Sequence, residues 1–136
     1  AHPPPPPPTF EWGRDNRTTG IRWPVSSPDA RRVENRVAGM DCNPYLGIAA
    51  SLAAGYLGLM QEERAEKQFR GDAYEGDGDF PRTLGEALAV MDEATGISEV
   101  LGQEFCRVYS IVKRTEYEEF LGVISPWERE HLLLNV

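Results

Sequence analysis

The stretch that decides the fold is 31-RRVENRVAGMDCNPYL-46. Arg32, Glu34 and Arg36 alternate with Val33, Asn35 and Val37, and period two marks a strand over Arg31–Val37. It places three charges of mixed sign on one face. Asn43 then suits a helix N-cap and Pro44 the first helical position. Downstream, Leu46, Ala49, Ala50, Ala53, Tyr56, Leu57 and Met60 recur at helical spacing, but the other faces are apolar too. A helix apolar all round is expected to be buried on most sides. Gly47, Gly55 and Gly58 weaken it in isolation, so close-packed neighbours are expected.

Upstream, Thr9–Trp12 and Gly20–Trp23 read as short strands, separated by turn formers Gly13, Asp15 and Asn16 and ended by Pro24. Residues 1–8, AHPPPPPP, hold six prolines that lack a backbone N–H, and read as a flexible polyproline segment. Downstream, Thr83-x-x-Glu86 predicts a capped helix that runs to about Ala94 and is broken at Gly96. Phe105, Val108, Tyr109, Val112, Tyr117, Phe120, Leu121 and Ile124 keep 3.6 spacing along a long amphipathic helix. Ser125-Pro126-Trp127-Glu128 is a second capping box. The expected fold class is α+β, mostly helical, with a small antiparallel sheet near the N-terminus.

With 136 residues the chain can bury a core of its own. Its net charge of −8 argues against nonspecific binding to nucleic acid or anionic membrane, which needs a basic surface. The uncharged run from Cys42 to Gln61 approaches membrane-spanning length, but its Ala, Gly and polar content fits a core helix better. Cys42 and Cys106 lie far apart and outside CxxC spacing, so free thiols and a cytoplasmic location are expected. Residues 70–82, RGDAYEGDGDFPR, read as a solvated loop rich in Gly and Asp; within it 75-EGDGDF-80 has acidic spacing but no EF-hand pattern.

Phosphate-loop, dinucleotide, nucleophile-elbow and HExxH motifs do not occur. The unusual feature is arginine density: Arg14, Arg17, Arg22, Arg31, Arg32 and Arg36 all precede the helix. Guanidinium groups converging from neighbouring strands bind phosphate or carboxylate through bidentate bonds. They serve equally well in an ion-pair network that ties three strands together through Glu34. The residues alone leave both readings open. Glu34 by itself cannot build a catalytic magnesium site.

DNRTTGIR, ARRVENR and NPYLGIAASLAAGYLGL, in that order, resemble the C-terminal part of the glutamine synthetase family. The C-terminal EFCRVYSIVKRTEYEEF and ISPWEREHLLLNV resemble its γ-glutamylpolyamine synthetase-like branch. The resemblance covers residues 9–136, as the C-terminal part of a catalytic domain. It implies an ATP-dependent ligase that phosphorylates the γ-carboxylate of glutamate, after which ammonia or an amine displaces phosphate. It also implies ATP with Mg2+ or Mn2+ as cofactors and a homo-oligomeric ring.

Residue by residue, the resemblance implies that Arg17 and Arg22 stabilise phosphoryl transfer and that Arg22 and Arg32 bind ATP phosphates. It implies that Glu34 holds metal and that Arg36 holds glutamate. Asp29 departs from the lysine that many members carry beside the nucleotide. The family's remaining metal ligands, its metal-binding histidine and its β-grasp domain lie upstream of these motifs. The expectation is therefore a fragment that binds no cofactor and is inactive alone. The alternative is a non-catalytic small helical domain that binds a partner through its proline tract or its apolar helix.

Overall fold

The computed structural model describes residues 9–76, 78 and 80–133. The proline tract, with His2, Asp77 and Asp79 of the acidic loop, and the last three residues lie outside the described residues. The elements run β1 (Trp12–Arg14), β2 (Ile21–Trp23), β3 (Glu34–Asn35), α1 (Pro44–Met60), α2 (Leu84–Glu93), α3 (Thr95–Leu101), α4 (Gln103–Leu121) and α5 (Pro126–His131). Short 3-10 turns lie at Pro28–Ala30 and Ala73–Glu75. This is the expected α+β class, mostly helical with a small sheet near the N-terminus. The chain forms two compact units, one ending at Phe80 and the other beginning at Pro81.

In the first unit the strand order is β1-β2-β3. β2 and β3 pair antiparallel, with Ile21 opposite Asn35 and Arg22 opposite Glu34. β1 and β2 pair parallel, with Gly13 opposite Arg22, so the sheet is mixed rather than antiparallel throughout. Parallel neighbours normally need a long crossover. Here each strand is so short that the chain must return only about 10 Å, and the loop 15–20 covers that distance. Asp15, at φ 53°, turns the chain out of β1, and its N–H donates to the Trp23 carbonyl at 2.8 Å. The Ile21 N–H donates to the Glu11 carbonyl at 3.1 Å at the other end. Thr19, fully buried, donates from Oγ1 to the Ile21 carbonyl at 2.9 Å and so fixes the loop's exit.

All three strands differ from their expected extents, β2 only by starting one residue late at Ile21. β1 begins three residues later than Thr9, because pairing with β2 recruits Gly13 into the strand. A Cβ at Gly13 would lie 2.5 Å from the Asn16 Cβ, so glycine there serves close packing rather than a turn. β3 is far shorter than Arg31–Val37. Pro24 has no N–H to extend the ladder beyond Trp23. At the other end a single further bond, from Arg36 N–H to the Gly20 carbonyl at 2.9 Å, continues it.

α1 opens as expected: the Asn43 side chain accepts from the N–H groups of Tyr45 and Leu46. Its burial does not follow the expectation. Only Ala53 is buried, while Tyr45, Leu52 and Leu59 are 83%, 69% and 81% exposed. What ties it to the sheet is polar: Asn35 Nδ2 donates to Ser51 Oγ at 2.9 Å, and Ser51 Oγ donates to the Gly47 carbonyl. The unit's other buried residues are small or polar (Thr9, Gly13, Thr19, Gly20, Pro24, Ala73) and offer too little apolar surface to cover the helix.

The second unit is helical. Leu88 of α2 and Cys106 and Ser110 of α4 are buried, and the Tyr117 ring lies against Gly85. Ser110 Oγ donates to Asp92 at 2.7 Å, and Arg114 pairs with the same carboxylate. The helix break falls at Ala94, whose ψ of 82° leaves the helical region, and Gly96 lies inside α3. α4 stops at Leu121, so Ile124 lies beyond it. The Ser125–Glu128 capping box forms with both reciprocal bonds. At Thr83 only half forms, since the Glu86 carboxylate accepts from Arg82 N–H instead. Among the described residues no helix is long and apolar enough to cross a membrane.

Candidate functional site

Cross-strand pairing sets the site. Arg22 on β2 faces Glu34 on β3, and Arg22 Nη1 donates to Glu34 Oε2 at 2.8 Å. The second guanidinium nitrogen of Arg22 pairs with Asp15, carried there by the turn after β1. Arg32, two residues before Glu34 in the extended chain, donates from Nε to Oε1 at 3.0 Å, with Nη2 at 2.8 Å from the same oxygen. Each Glu34 oxygen therefore accepts from a different arginine. The Arg22 hydrogen bond is the main reason the Glu34 carboxyl lies below its ordinary pKa, with Arg32 adding to it. Glu34 in turn raises the Arg22 guanidinium above its ordinary value, with Asp15 second. The ion-pair network open from the sequence is thus present for Arg22, Glu34 and Arg32.

Arg36 and Arg17 stand apart from it. The Arg36 backbone is held by Gly20, but its Nη1 is buried with no hydrogen-bond partner among the described residues. Burying a charged donor without a partner is costly, so this nitrogen is poised for an acceptor. Arg17 is exposed and lines an open cleft of about 610 Å³ with Arg14, Asp15, Asn16, Arg22 and residues 68–71. Arg22 is thus shared between the cleft wall and the ion-pair cluster.

One basic residue of the cleft carries no local signal in the sequence. Arg70 sits in a segment read only as a loop, more than fifty positions from Arg17 in the chain. It arrives because residues 66–73 run along β1. Trp12 Nε1 donates to the Glu66 carbonyl at 2.7 Å, and Phe69 N–H to the Trp12 carbonyl at 3.0 Å. Asn16 Nδ2 donates to the Gly71 carbonyl at 2.9 Å, and Ala73 N–H to Thr18 Oγ1 at 2.9 Å. No local pattern announces these bonds. Their donors and acceptors are ordinary side chains and backbone far apart in sequence.

Chemically, the arrangement offers guanidinium groups to an anion, and its two carboxylates, Glu34 and Asp15, are both already paired with arginine. Among the described residues no three His, Cys, Asp or Glu side chains stand together as a metal-binding group. Glu34 can contribute one ligand, since a carboxylate has about four lone-pair sites and two are in use here.

Residues 5–132 match the family model described as glutamine synthetase, catalytic domain. Among relatives, gamma-glutamylputrescine synthetase PuuA of Escherichia coli K12 is 38% identical over 91% of this chain and 26% of its own length. Type-1 glutamine synthetase 2 of Dictyostelium discoideum is 37% identical over 93% of this chain and 25% of its own. A glutamate–isopropylamine ligase from a Pseudomonas species is 35% identical over 86% of this chain and 26% of its own. The chain spans about a quarter of the length of these curated relatives.

Proposed function

The chain belongs to the glutamine synthetase family, and from that membership we propose that residues 9–136 form the C-terminal part of the catalytic domain of an ATP-dependent glutamate–ammonia or glutamate–amine ligase. The observation that carries the reading is the cluster of Arg22, Glu34 and Arg32, joined through Arg22 to an arginine-lined cleft.

In this reading the γ-carboxylate of glutamate attacks the terminal phosphoryl group of ATP and expels ADP, and an amine then displaces phosphate from γ-glutamyl phosphate, losing a proton as the amide forms. Phosphoryl transfer demands positioning and charge neutralisation rather than covalent help from the protein. Arg17 and Arg22 neutralise the transferring group. Arg22 and Arg32 hold the nucleotide phosphates, and Glu34 keeps both guanidinium planes oriented. Arg36 directs its unpartnered Nη1 at a carboxylate of glutamate. Glu34 would give one ligand to Mg2+ or Mn2+, and that ion, when bound, supplies further positive charge beside the phosphates. One carboxylate is too few to hold it, so the remaining ligands come from other parts of the ligase. The chain by itself is accordingly inactive. The whole ligase works as a cytoplasmic homo-oligomeric ring.

A second reading, a non-catalytic helical interaction domain, draws on the exposed apolar faces of α1. The test that separates them is phosphate release by the full-length protein given ATP, glutamate and a panel of amines. Release is expected only when glutamate and an accepted amine are both present. Glu34→Ala is expected to lower kcat by about 10²-fold, the scale of losing one electrostatic stabiliser. Unchanged turnover in Glu34→Ala would refute its role. Absence of release with every amine would favour the interaction domain. Glutamate-dependent release by the isolated chain would refute its inactivity.

A further inference from the structure

Three guanidinium groups at the cleft have no carboxylate partner among the described residues: Arg14, Arg17 and Arg70. Arg22, the fourth, is already paired with Asp15 and Glu34. The chain as a whole carries a net charge of −8, so carboxylates are in ample supply elsewhere. Concentrating like charges in one cleft raises the energy of the empty state through mutual repulsion. An anion between them reverses the sign of that contribution.

Arg70 is not there by accident of a loose loop. Four hydrogen bonds, from or to Trp12, Asn16 and Thr18, fasten its segment along β1 at both sides of it. Two of these residues, Asn16 and Thr18, flank Arg17. The same short turn therefore presents Arg17 and anchors Arg70. The cleft, about 610 Å³, falls in the range of small-molecule sites and exceeds what a single phosphate fills. A row of guanidinium forks suits successive phosphate groups, each able to accept two parallel N–H bonds.

We propose that Arg14 and Arg70 are further phosphate-binding residues, which with Arg17 grip the polyphosphate chain of a nucleoside triphosphate. This rests on the reading that Arg17 and Arg22 face the nucleotide, and extends it to a segment that reads from sequence as a solvated loop. Arg70 supplies binding rather than chemistry. Its contribution weakens with ionic strength, because the cleft is open to solvent.

The experiment is calorimetric titration of the full-length protein with tripolyphosphate, ATP and adenosine at low salt. The variants are Arg70→Ala, Arg70→Lys, Arg14→Ala and Arg17→Ala. Arg70→Ala and Arg14→Ala are each expected to weaken tripolyphosphate and ATP about tenfold, as one charge-assisted contact is lost. Arg70→Lys, with charge but no fork, should fall between wild type and Arg70→Ala. Adenosine affinity should stay unchanged in all of them, whereas a merely structural role for Arg70 would lower it too. Unchanged tripolyphosphate and ATP affinity in Arg70→Ala overturns the proposal, as does wild-type protein that binds neither. If Arg17→Ala weakens ATP while Arg70→Ala does not, the proposal falls and the ligase reading stands. If Arg70→Ala weakens both and Arg17→Ala neither, Arg70 stands and the assignment of Arg17 fails.

Discussion

Replacing Asn16 by alanine tests how the segment that bears Arg70 is held. The Asn16 side-chain oxygen accepts from Thr18 N–H at 2.9 Å and from Thr18 Oγ1 at 2.8 Å, and its nitrogen donates to the Gly71 carbonyl at 2.9 Å. A hydrogen bond contributes about 0.5–1.5 kcal/mol net. The bond to Gly71 is exposed and water replaces it cheaply, so it belongs at the low end. The two to Thr18 are half-buried and belong nearer the middle. Together the loss is about 2.5 kcal/mol.

Part of that loss reaches Ala73, because Thr18 Oγ1 accepts the Ala73 N–H at 2.9 Å and is itself oriented by Asn16. Native-state hydrogen exchange reads it directly. Protection of the Ala73 amide should fall about tenfold or more in Asn16→Ala, since 1.4 kcal/mol is a factor of ten. Amides in α4, in the other compact unit, serve as the unchanged reference. Asn16→Asp keeps an acceptor for Thr18 but removes the donor to Gly71, so its effect at Ala73 should be smaller. If Ala73 keeps full protection in Asn16→Ala while the Thr18 amide loses it, the reasoning fails. The Phe69–Trp12 bond would then hold the segment and Asn16 would be a local turn residue only.

Two further outcomes concern the helical unit. Leu88 is 2% exposed between α2 and α4, so Leu88→Ala should lower the unit's stability by about 2–4 kcal/mol in urea unfolding followed by far-UV dichroism. The Asp92 carboxyl lies below its ordinary pKa, chiefly because Ser110 donates to it and next because Arg114 pairs with it. A depressed carboxylate contributes stability that is present above its unfolded pKa and lost as pH falls through the folded value. Unfolding from neutral pH down through the acid range should therefore show a loss that starts near pH 4 and is smaller in Asp92→Asn.

The signals legible in the sequence were those written within one turn or one strand pair. Asn43 and Pro44 announce α1, and Ser125 with Glu128 announces α5, because capping is settled by residues two or three apart. The alternation around Glu34 was legible for the same reason, and Arg32 does pair with Glu34, whereas Arg36, expected on the same face, does not. Period two cannot choose partners, however. Nothing in Trp12–Arg14 says that it will lie parallel to Ile21–Trp23, because that depends on how compactly Asp15, Asn16 and Thr19 fold the return. The end of α2 near Ala94 was legible, but Gly96, the stronger local breaker, is not where the break falls: it lies inside α3. α1 misled in another way. Its all-round apolarity states a need for cover, not where the cover is, and the first unit's own buried residues are too small to supply it. Arg70 was invisible because four hydrogen bonds between distant residues, not a local pattern, deliver it to the cleft.

The arginines divide by commitment, and that division sharpens what Glu34 does. Arg22 and Arg32 are committed to Glu34, while Arg14, Arg17 and Arg70 are not committed to any carboxylate among the described residues. A carboxyl held below its ordinary pKa by two arginines stays ionised throughout the neutral range, so the committed pair keeps one geometry there. That geometry makes Arg22 a hinge between two kinds of site. One of its faces belongs to an ion-pair cluster that is already satisfied, the other to a cleft whose remaining cations are not. A ligand phosphate approaching Arg22 need not break the Glu34 bond, because a guanidinium has five donors and the two carboxylates use only part of them. The Arg22 Nε, buried and without a partner, is one donor still free. In the proposed reading the ion-pair network and the anion site, open alternatives from the residues alone, are therefore not rivals: the network aims the arginine that the anion site needs.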